Sequence, residues 1–182
     1  MTATILDGKK IAETMREEIR ADVLRLQKNG ITPGLAVLLV GDDPASRSYV
    51  TAKERACEAA GIYSKEVRLD ATASKDEILQ TVREFNNDAA IDGILVQLPL
   101  PDGRMEQEVI ETILPEKDVD GFHPESVGRM MLGLPTFLPC TPHGVLHILK
   151  RSGVDTKGKH AVIVGRSNIV GRPLSNMLSL KT

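Results

Sequence analysis

The sequence predicts an α/β protein with a mainly parallel sheet. Segments with the spacing of amphipathic helices alternate with short apolar runs along the chain, and this alternation is typical of βα units. The run GLAVLLVG is apolar throughout apart from its glycines, as strands buried on both faces of a parallel sheet usually are. The chain has 182 residues, which is enough for one complete core, or for one domain and part of another.

The first third of the chain predicts a helix, a strand and a second helix. The segment DGKKIAETMREEIRADVLRLQKNG predicts a helix that ends at Asn29-Gly30. The strand GLAVLLVG follows, and we expect the next helix to run from about Pro44 to Ala60, where Gly61 stops it. The apolar residues of the first helix form one stripe: Ile11, Met15, Ile19, Val23 and Leu26.

The following segments continue the alternation. YSKEVRL predicts a second strand, and DGILVQLPLP predicts a third strand that ends at its prolines. Between these strands, Ser74 and Glu77 have the spacing of a capping box at the start of a helix. Ile78, Val82 and Phe85 give that helix an apolar face, and MEQEVIETIL predicts a further short helix.

A change in composition predicts a boundary between two domains. The segment PEKDVDGFHPESVGRMMLGLPTFLPCTP is rich in proline and glycine, so we expect loops and short helices there. A helix then begins near Pro142, and KHAVIVGRSNIVGRPL predicts a strand, a tight loop and a new helix. This last unit is shorter than the roughly 30 residues of a complete βαβ unit. We therefore predict a first domain at 1–121, a connection at 122–142 and an incomplete second domain at 143–182.

Composition excludes several classes of function. The net charge is −2, aromatic residues make up 3% and tryptophan is absent, so neither nucleic acid nor an anionic membrane is an expected partner. No apolar run approaches the roughly 18 residues of a membrane span, and the N-terminus does not resemble a signal peptide. Cys57 and Cys140 lie far apart and form no disulfide framework, which indicates the reducing cytoplasm.

Tyr49 and Lys53 lie four residues apart in YVTAKERACEAAGI, so a helix places both on one face. One interpretation is a surface lysine beside a half-buried tyrosine. The other is a lysine drawn into a cleft, where desolvation lowers its pKa from about 10.4 toward neutrality and lets it transfer protons. The pair alone leaves both interpretations open.

Gln97 interrupts the apolar strand ILVQLPLP. A buried amide needs hydrogen-bond partners, and a glutamine that bonds to a neighbouring loop explains it structurally. Gln97 also lies toward the carboxyl end of its strand, where parallel sheets form ligand clefts. Both a structural and a functional role therefore remain open from the residues alone.

No motif predicts a metal site. Asp118 and Asp120 in KDVDG are two carboxylates in a loop, but two acids without further ligands are weak evidence, and loop aspartates usually form turns. His143 and His147 have the spacing of a zinc-protease helix, but Gly144 replaces the glutamate that such a helix needs. We therefore predict no metal.

A glycine-containing loop separates the last predicted strand from the last helix. Backbone N–H groups at a helix start attract phosphate. The dinucleotide fingerprint requires glycine at its first, third and sixth positions, and these hold Gly165, Ser167 and Val170. By spacing alone, the loop is therefore as well explained by a tight strand-to-helix turn as by a phosphate site.

Five stretches occur in an order that is specific in combination: YVTAKERACEAAGI, DGILVQLPLP, PEKDVDGFHP, PCTPHG and VGRSNIVGRP. With them the chain resembles the methylenetetrahydrofolate dehydrogenase/methenyltetrahydrofolate cyclohydrolase family over essentially its whole length. The resemblance implies a parallel-sheet α/β substrate domain followed by the start of a Rossmann-like NAD(P)-binding domain. The family continues through the rest of that domain, so the resemblance also implies a C-terminal truncation.

The resemblance implies two reactions in one cleft. A hydride first passes from the methylene carbon of 5,10-methylenetetrahydrofolate to NADP, and water then attacks the methenyl cation to give 10-formyltetrahydrofolate. Three catalytic residues are implied: Lys53 transfers the proton, Gln97 hydrogen-bonds to Lys53 and orients it, and Tyr49 packs along the folate.

The resemblance also assigns binding residues. Asp120 would bind the pterin, beside Tyr49, Lys53 and Gln97, with Asp118 as the structural member of the acidic pair. The implied contacts with the cofactor phosphates are Gly165, Arg166 and Ser167, and Arg166 favours NADP over NAD because arginine binds phosphate through a planar fork of donors.

Two alternatives remain beside this assignment. Another two-domain NAD(P) dehydrogenase would share the fold and the glycine loop, but would not require Lys53, Gln97 and Asp120 at these places. A catalytically impaired fragment that binds folate is the other alternative, because much of the cofactor domain lies beyond the sequence. The resemblance further implies a homodimer.

Overall fold

The computed structural model describes residues 3–180 and has the predicted α/β fold. It divides into two compact units. The sheet unit comprises Glu17–Val119, and the helical unit comprises the residues up to Arg16 together with those from Asp120 onwards. The two units are defined by how compactly their residues pack, and not by what they bind. The predicted division into functional domains at residues 121 and 142 therefore stays a prediction.

Helix α1 (Gly8–Lys28) is the first element and ends as predicted, at a turn in which Gly30 has a φ of 77°. Its apolar stripe is less buried than the pattern suggests. Val23 is 4% exposed, whereas Ile19 is 43% and Leu26 is 39% exposed. The periodicity therefore predicts the helix correctly, but Val23 is the stripe's one fully buried residue, and Ile11 and Met15 are partly buried.

Strand β1 (Gly34–Val40) is the centre of a three-stranded sheet. It pairs in parallel with β2 (Tyr63–Leu69) on one side and with β3 (Gly93–Val96) on the other. Leu38 in β1 lies opposite Val96 in β3. Because neighbours cover both its edges and its faces, β1 is almost entirely buried, as its continuous apolar run predicts.

Two helices make the crossovers between the parallel strands. Helix α2 (Pro44–Ala60) connects β1 to β2, and α3 (Lys75–Asn87) connects β2 to β3. One of the two bonds of the predicted capping box of α3 is present, since the Ser74 hydroxyl accepts the Glu77 N–H at 3.2 Å. The predicted apolar face of α3 is at most 1% exposed and consists of Ile78, Val82 and Phe85.

The core lies on both faces of β1, because successive side chains of a strand point in opposite directions. On one face, Leu38 packs with the apolar side of α3 and with Val109 of helix α4 (Glu106–Thr112). On the other face, Leu39 packs with Val50 of α2. The helices on the two faces therefore take their positions from the same central strand.

The helical unit contains α5 (Pro124–Met131), α6 (Cys140–Arg151) and α7 (Gly171–Ser179). Helix α7 packs against both α5 and α6. The described start of α6 lies two residues before the predicted start near Pro142. No helix within residues 3–180 is long and apolar enough to cross a membrane.

Residues 160–165 do not form the strand that HAVIVG predicts, so this prediction is wrong for the described structure. Val162 is 78% exposed and Val164 is 99% exposed. A strand needs a neighbouring strand for its N–H and C=O groups, and no residue within 3–180 pairs with this segment. Helix α7 follows the loop as predicted.

Candidate active site

Helix α2 carries Tyr49 and Lys53, and both of its ends are fixed by local contacts. The Asp43 carboxylate accepts the Ser46 N–H at 2.7 Å, and this bond lowers the pKa of Asp43. Gly61 ends the helix with a left-handed φ of 80°. Tyr49 is 63% exposed, whereas Lys53 is partly buried, so the shared face runs from solvent toward the interior of the sheet unit.

Gln97 lies immediately after β3, which ends at Val96, so it is not inside the strand as predicted. Its backbone N–H still donates to the Leu38 carbonyl at 2.9 Å and extends the ladder by one bond. Its side-chain Oε1 accepts a hydrogen bond from Lys53 Nζ at 2.8 Å, and its Nε2 donates to the Leu98 carbonyl at 2.9 Å. The structure therefore brings Lys53 and Gln97 into contact.

The Leu98 carbonyl determines which end of the Gln97 amide faces Lys53. A carbonyl oxygen only accepts hydrogen bonds, so the NH₂ end of the amide must point to Leu98 and the oxygen must point to Lys53. An amine can donate an N–H to that oxygen whether it is charged or neutral. In the neutral form its lone pair then points away from the amide, where it can accept a proton.

The two aspartates of KDVDG lie in different environments. Asp118 is 1% exposed, and its backbone forms a single parallel bridge with Ile94 of β3. Asp120, the first residue of the second part of the helical unit, is partly buried and accepts a long hydrogen bond from the Cys140 thiol at 3.9 Å. The burial of Asp118 fits a structural carboxylate, and the role of Asp120 in binding pterin stays a prediction.

Gly121 fixes the backbone immediately after Asp120. Its φ is 66°, and a Cβ atom there would lie 2.8 Å from the Phe137 carbonyl oxygen. A side chain at this position would therefore meet backbone that cannot move aside cheaply. The conformation that orients Asp120 depends on glycine at the next position.

The glycine loop closes on the start of α7. The Ser167 hydroxyl accepts the N–H groups of Val170 at 3.1 Å and Gly171 at 3.3 Å, and the Ser167 carbonyl accepts the Arg172 N–H at 3.1 Å. A Cβ atom on Gly171 would lie only 2.5 Å from the Gly165 carbonyl oxygen. Glycine at 171 is therefore required by this close approach of backbone to backbone.

The loop still offers donors for a phosphate group. These donors are not the N–H groups of Val170 and Gly171, because the Ser167 hydroxyl already accepts both. The Ser167 hydroxyl accepts in those bonds and keeps its own O–H to donate. Arg166 is exposed and makes no side-chain hydrogen bond or ion pair within residues 3–180. Arg172, in contrast, donates to the Asn168 side chain at 2.7 Å. Arg166 and Ser167 are therefore the better candidates for phosphate contacts.

His143 and His147 lie side by side on α6, with ring centroids 4.5 Å apart and ring planes tilted by 48°. Burial lowers the pKa of His143, and the neighbouring His147 lowers it further. Among residues 3–180, no three or more His, Cys, Asp or Glu side chains are grouped to hold a metal ion. The two imidazoles alone fall short of the protein ligands of a typical zinc site.

Two contacts at the candidate site have no signature in the sequence. The Leu98 carbonyl orients Gln97, but every residue carries a backbone carbonyl, so the side chain at 98 gives no sign of it. Cys140 reaches Asp120 from a position 20 residues away. Neither local spacing nor periodicity predicts such contacts.

Two family models match the chain. The catalytic-domain model of tetrahydrofolate dehydrogenase/cyclohydrolase matches residues 6–120, and the NAD(P)-binding-domain model of the same enzymes matches residues 139–182. These matches agree with the resemblance carried by the sequence motifs.

Curated relatives match almost the whole chain. The bifunctional protein FolD of Geobacillus thermodenitrificans is 57% identical over 177 residues, which are 97% of this chain and 62% of the relative. The FolD protein of Bacillus subtilis is 53% identical over 178 residues, which are 98% of this chain and 63% of the relative. The chain thus spans less than two-thirds of the length of these relatives.

Solved structures of related enzymes have the same fold. The FolD methylenetetrahydrofolate dehydrogenase/cyclohydrolase of Campylobacter jejuni gives a TM-score of 0.94 at 48% identity, covering 96% of this chain and 62% of that one. The Trypanosoma brucei enzyme, solved with NADP cofactor and an inhibitor, gives a TM-score of 0.94 at 32% identity. The match covers 98% of this chain and 62% of the Trypanosoma brucei chain.

The close approach at Gly171 generates a stability prediction. We expect Gly171→Ala to lower the free energy of unfolding by about 1–3 kcal/mol, because the added methyl forces the loop away from α7. The control is Gly144→Ala in α6, where a Cβ atom meets nothing within 4 Å. That change should stabilise the helix by about 0.5–1 kcal/mol. Urea unfolding of both variants is the measurement, and equal effects would contradict the described packing.

Proposed function

Because the chain belongs to the tetrahydrofolate dehydrogenase/cyclohydrolase family, we propose that it serves the two reactions of that family in one-carbon metabolism. These are the NADP-dependent oxidation of 5,10-methylenetetrahydrofolate to 5,10-methenyltetrahydrofolate and the hydrolysis of that product to 10-formyltetrahydrofolate. The observation that carries the proposal is the hydrogen bond of 2.8 Å between Lys53 Nζ and Gln97 Oε1. Another dehydrogenase of the same fold would not require a lysine that is hydrogen-bonded to a glutamine at this place.

Lys53 is the proposed proton carrier of the hydrolytic step. The methenyl substrate is cationic, so a neutral amine beside it avoids repulsion between like charges. As the water oxygen bonds to the methenyl carbon, Lys53 takes a proton from the water. Lys53 then gives that proton to the departing ring nitrogen as the carbon–nitrogen bond breaks. The remaining hydroxyl proton leaves to solvent as the formyl carbonyl forms, and the lysine ends in its starting state.

Gln97, Tyr49 and Asp120 have supporting roles in this proposal. Gln97 holds the Lys53 amine in one direction, because its own amide is fixed by Leu98. The exposed ring of Tyr49 offers a flat apolar surface along which the folate packs. The carboxylate of Asp120 suits the donor groups on the edge of a pterin, since charge-assisted hydrogen bonds to a carboxylate are strong.

The glycine loop is the proposed cofactor contact. NADP, when bound, supplies the acceptor for the hydride that leaves the methylene carbon. Arg166 and Ser167 would hold its phosphate groups, because the guanidinium fork and the serine O–H are both donors. Gly165, beside them, would let the cofactor approach the backbone closely. The Trypanosoma brucei neighbour with NADP supports this choice of cofactor.

Residues 160–165, which form no strand, favour a second candidate function, which is folate binding and hydrolysis with impaired oxidation. A dinucleotide crevice forms between both halves of a doubly wound sheet, and this segment pairs with no strand within residues 3–180. On this alternative, the 182-residue chain binds NADP weakly while its sheet unit still binds folate.

We further propose a homodimer in the reducing cytoplasm, with no nucleic acid or membrane as partner. The family resemblance supports the dimer, and both cysteines being present as thiols supports the compartment. The net charge of −2 supports the absence of polyanionic partners.

The role of Lys53 generates a prediction about rate. We expect Lys53→Met to lower kcat for hydrolysis of 5,10-methenyltetrahydrofolate by about 10²- to 10⁴-fold, as loss of a general base does. Affinity for the stable analogue 5-formyltetrahydrofolate should stay within about threefold, because most of the ligand is bound by other residues. The decay of methenyl absorbance gives the rate, and calorimetry gives the affinity.

The matched control for Lys53 is Lys75→Met, which removes an exposed lysine paired with Glu108 at 2.9 Å. This variant should retain the wild-type rate and affinity. Near-normal hydrolysis by Lys53→Met would remove Lys53 from the mechanism.

The role of Arg166 generates a prediction about cofactor preference. We expect Arg166→Ala to lower the ratio of kcat/KM for NADP over NAD by about 10- to 150-fold, because a charged hydrogen bond to phosphate is worth roughly 1.5–3 kcal/mol. Arg172→Ala is the control, since Arg172 is engaged by Asn168. The ratio is measured in a chimaera that carries the C-terminal part of the Geobacillus thermodenitrificans relative. An unchanged ratio of kcat/KM for NADP over NAD would show that residues other than Arg166 recognise the ribose phosphate.

A further inference from the structure

Helix α6 carries two histidines, one turn apart, that have no role in the proposed folate chemistry. His143 and His147 are both partly buried, and their ring centroids lie 4.5 Å apart with the ring planes tilted by 48°. Positions i and i+4 lie on the same side of a helix. The backbone of α6 therefore holds the two imidazoles next to each other.

The ring nitrogens of this pair are open to a ligand. Neither imidazole makes a hydrogen bond or an ion pair within residues 3–180. Imidazole binds metal ions in its neutral form. Burial, and after it the neighbouring His147, lowers the pKa of His143, which favours the neutral form of that ring.

The separation of the rings fits one metal ion between them. A metal ion lies about 2.1 Å from a ligating imidazole nitrogen, and hence roughly 3.2 Å from the ring centroid. Two centroids that are 4.5 Å apart then subtend an angle of about 90° at the metal ion. A tetrahedral angle would separate the centroids by about 5.2 Å. The pair therefore fits the square-planar or tetragonal geometry of Cu²⁺ and Ni²⁺ better than the tetrahedral geometry of Zn²⁺.

We propose that His143 and His147 form a binding site for one divalent transition-metal ion of the Cu²⁺ or Ni²⁺ type. Each histidine supplies one imidazole nitrogen. Water fills the other coordination positions, because no group of three or more His, Cys, Asp or Glu side chains lies together among residues 3–180. The site lies on one helix and does not depend on the proposed function.

The sequence predicts no metal at HGVLH because Gly144 replaces the glutamate of a zinc-protease helix. In such a helix the glutamate is the general base, and the two histidines are the metal ligands. The absence of the glutamate therefore removes the protease chemistry and leaves both ligands in place. The separation of the rings, which the sequence does not show, is the observation that carries the proposal.

The first test is calorimetric titration of the 182-residue chain, expressed without a histidine tag, with NiCl₂. We expect one Ni²⁺ ion per chain. His143→Gln and His147→Gln should each weaken binding about 10²-fold, because the second of two anchored ligands acts at a high effective concentration. ZnCl₂ should bind the wild-type chain more weakly than NiCl₂ does.

The matched control is His160→Gln. His160 is an exposed histidine with no second histidine one turn away, so this variant should bind Ni²⁺ as the wild type does. Wild-type affinity in either His143→Gln or His147→Gln would overturn the proposal, and so would a loss of affinity in His160→Gln of the same size. Several weak ions per chain would indicate an adventitious ion only and would also overturn it.

Electron paramagnetic resonance of the wild-type chain with one equivalent of CuCl₂ is a second readout that needs no variant. We expect hyperfine coupling from two imidazole nitrogens. Coupling from fewer than two nitrogens would contradict the proposal, even if circular dichroism showed that the histidine variants do not fold. A sulfur-to-copper absorption band would place the ion on an exposed thiol such as Cys140 and would likewise contradict it.

Discussion

The pairing of β1 with β3 determines where the candidate site forms. The Leu38 carbonyl of β1 accepts the Gln97 N–H at 2.9 Å, so the amide that contacts Lys53 is held by the central strand itself. The same strand positions the lysine. Val50, one turn before Lys53, is 1% exposed and packs with Leu39 on the other face of β1. Two side chains from distant parts of the chain therefore meet because each is attached to one buried strand.

Polar groups beside an apolar sheet require hydrogen-bond partners, and this requirement fixes the orientation of the side chains at the candidate site. A buried amide without hydrogen bonds would cost about 1–3 kcal/mol. Gln97 avoids that cost by binding Leu98 with one end and Lys53 with the other. The same rule applies at the far end of α3, where carbonyl groups are satisfied by Lys117. At Gln97 the hydrogen bonds that stabilise the fold also restrict the amide to which we assign a function.

Local patterns predicted most elements, because caps and periodicity act over a few residues. The bounds of α2 and the Ser74 cap of α3 follow from such signals. The strand at 160–165 was predicted wrongly, since an apolar run becomes a strand only beside another strand. The contact of Lys53 with Gln97 spans 44 positions and followed only from the family resemblance. The orienting carbonyl of Leu98 and the hydrogen bonds of Lys117 to the end of α3 were not predicted, because neither has a local signature.

The central claim is that the Gln97 oxygen aims the Lys53 amine during hydrolysis. The most direct measurement is the dependence of kcat on pH for wild type and Gln97→Met, with 5,10-methenyltetrahydrofolate as substrate. A carbonyl binds an ammonium more strongly than a neutral amine, so its removal favours the neutral form. The account predicts a lower kcat and a midpoint shifted to lower pH in the variant. A variant with the wild-type kcat and midpoint would contradict it.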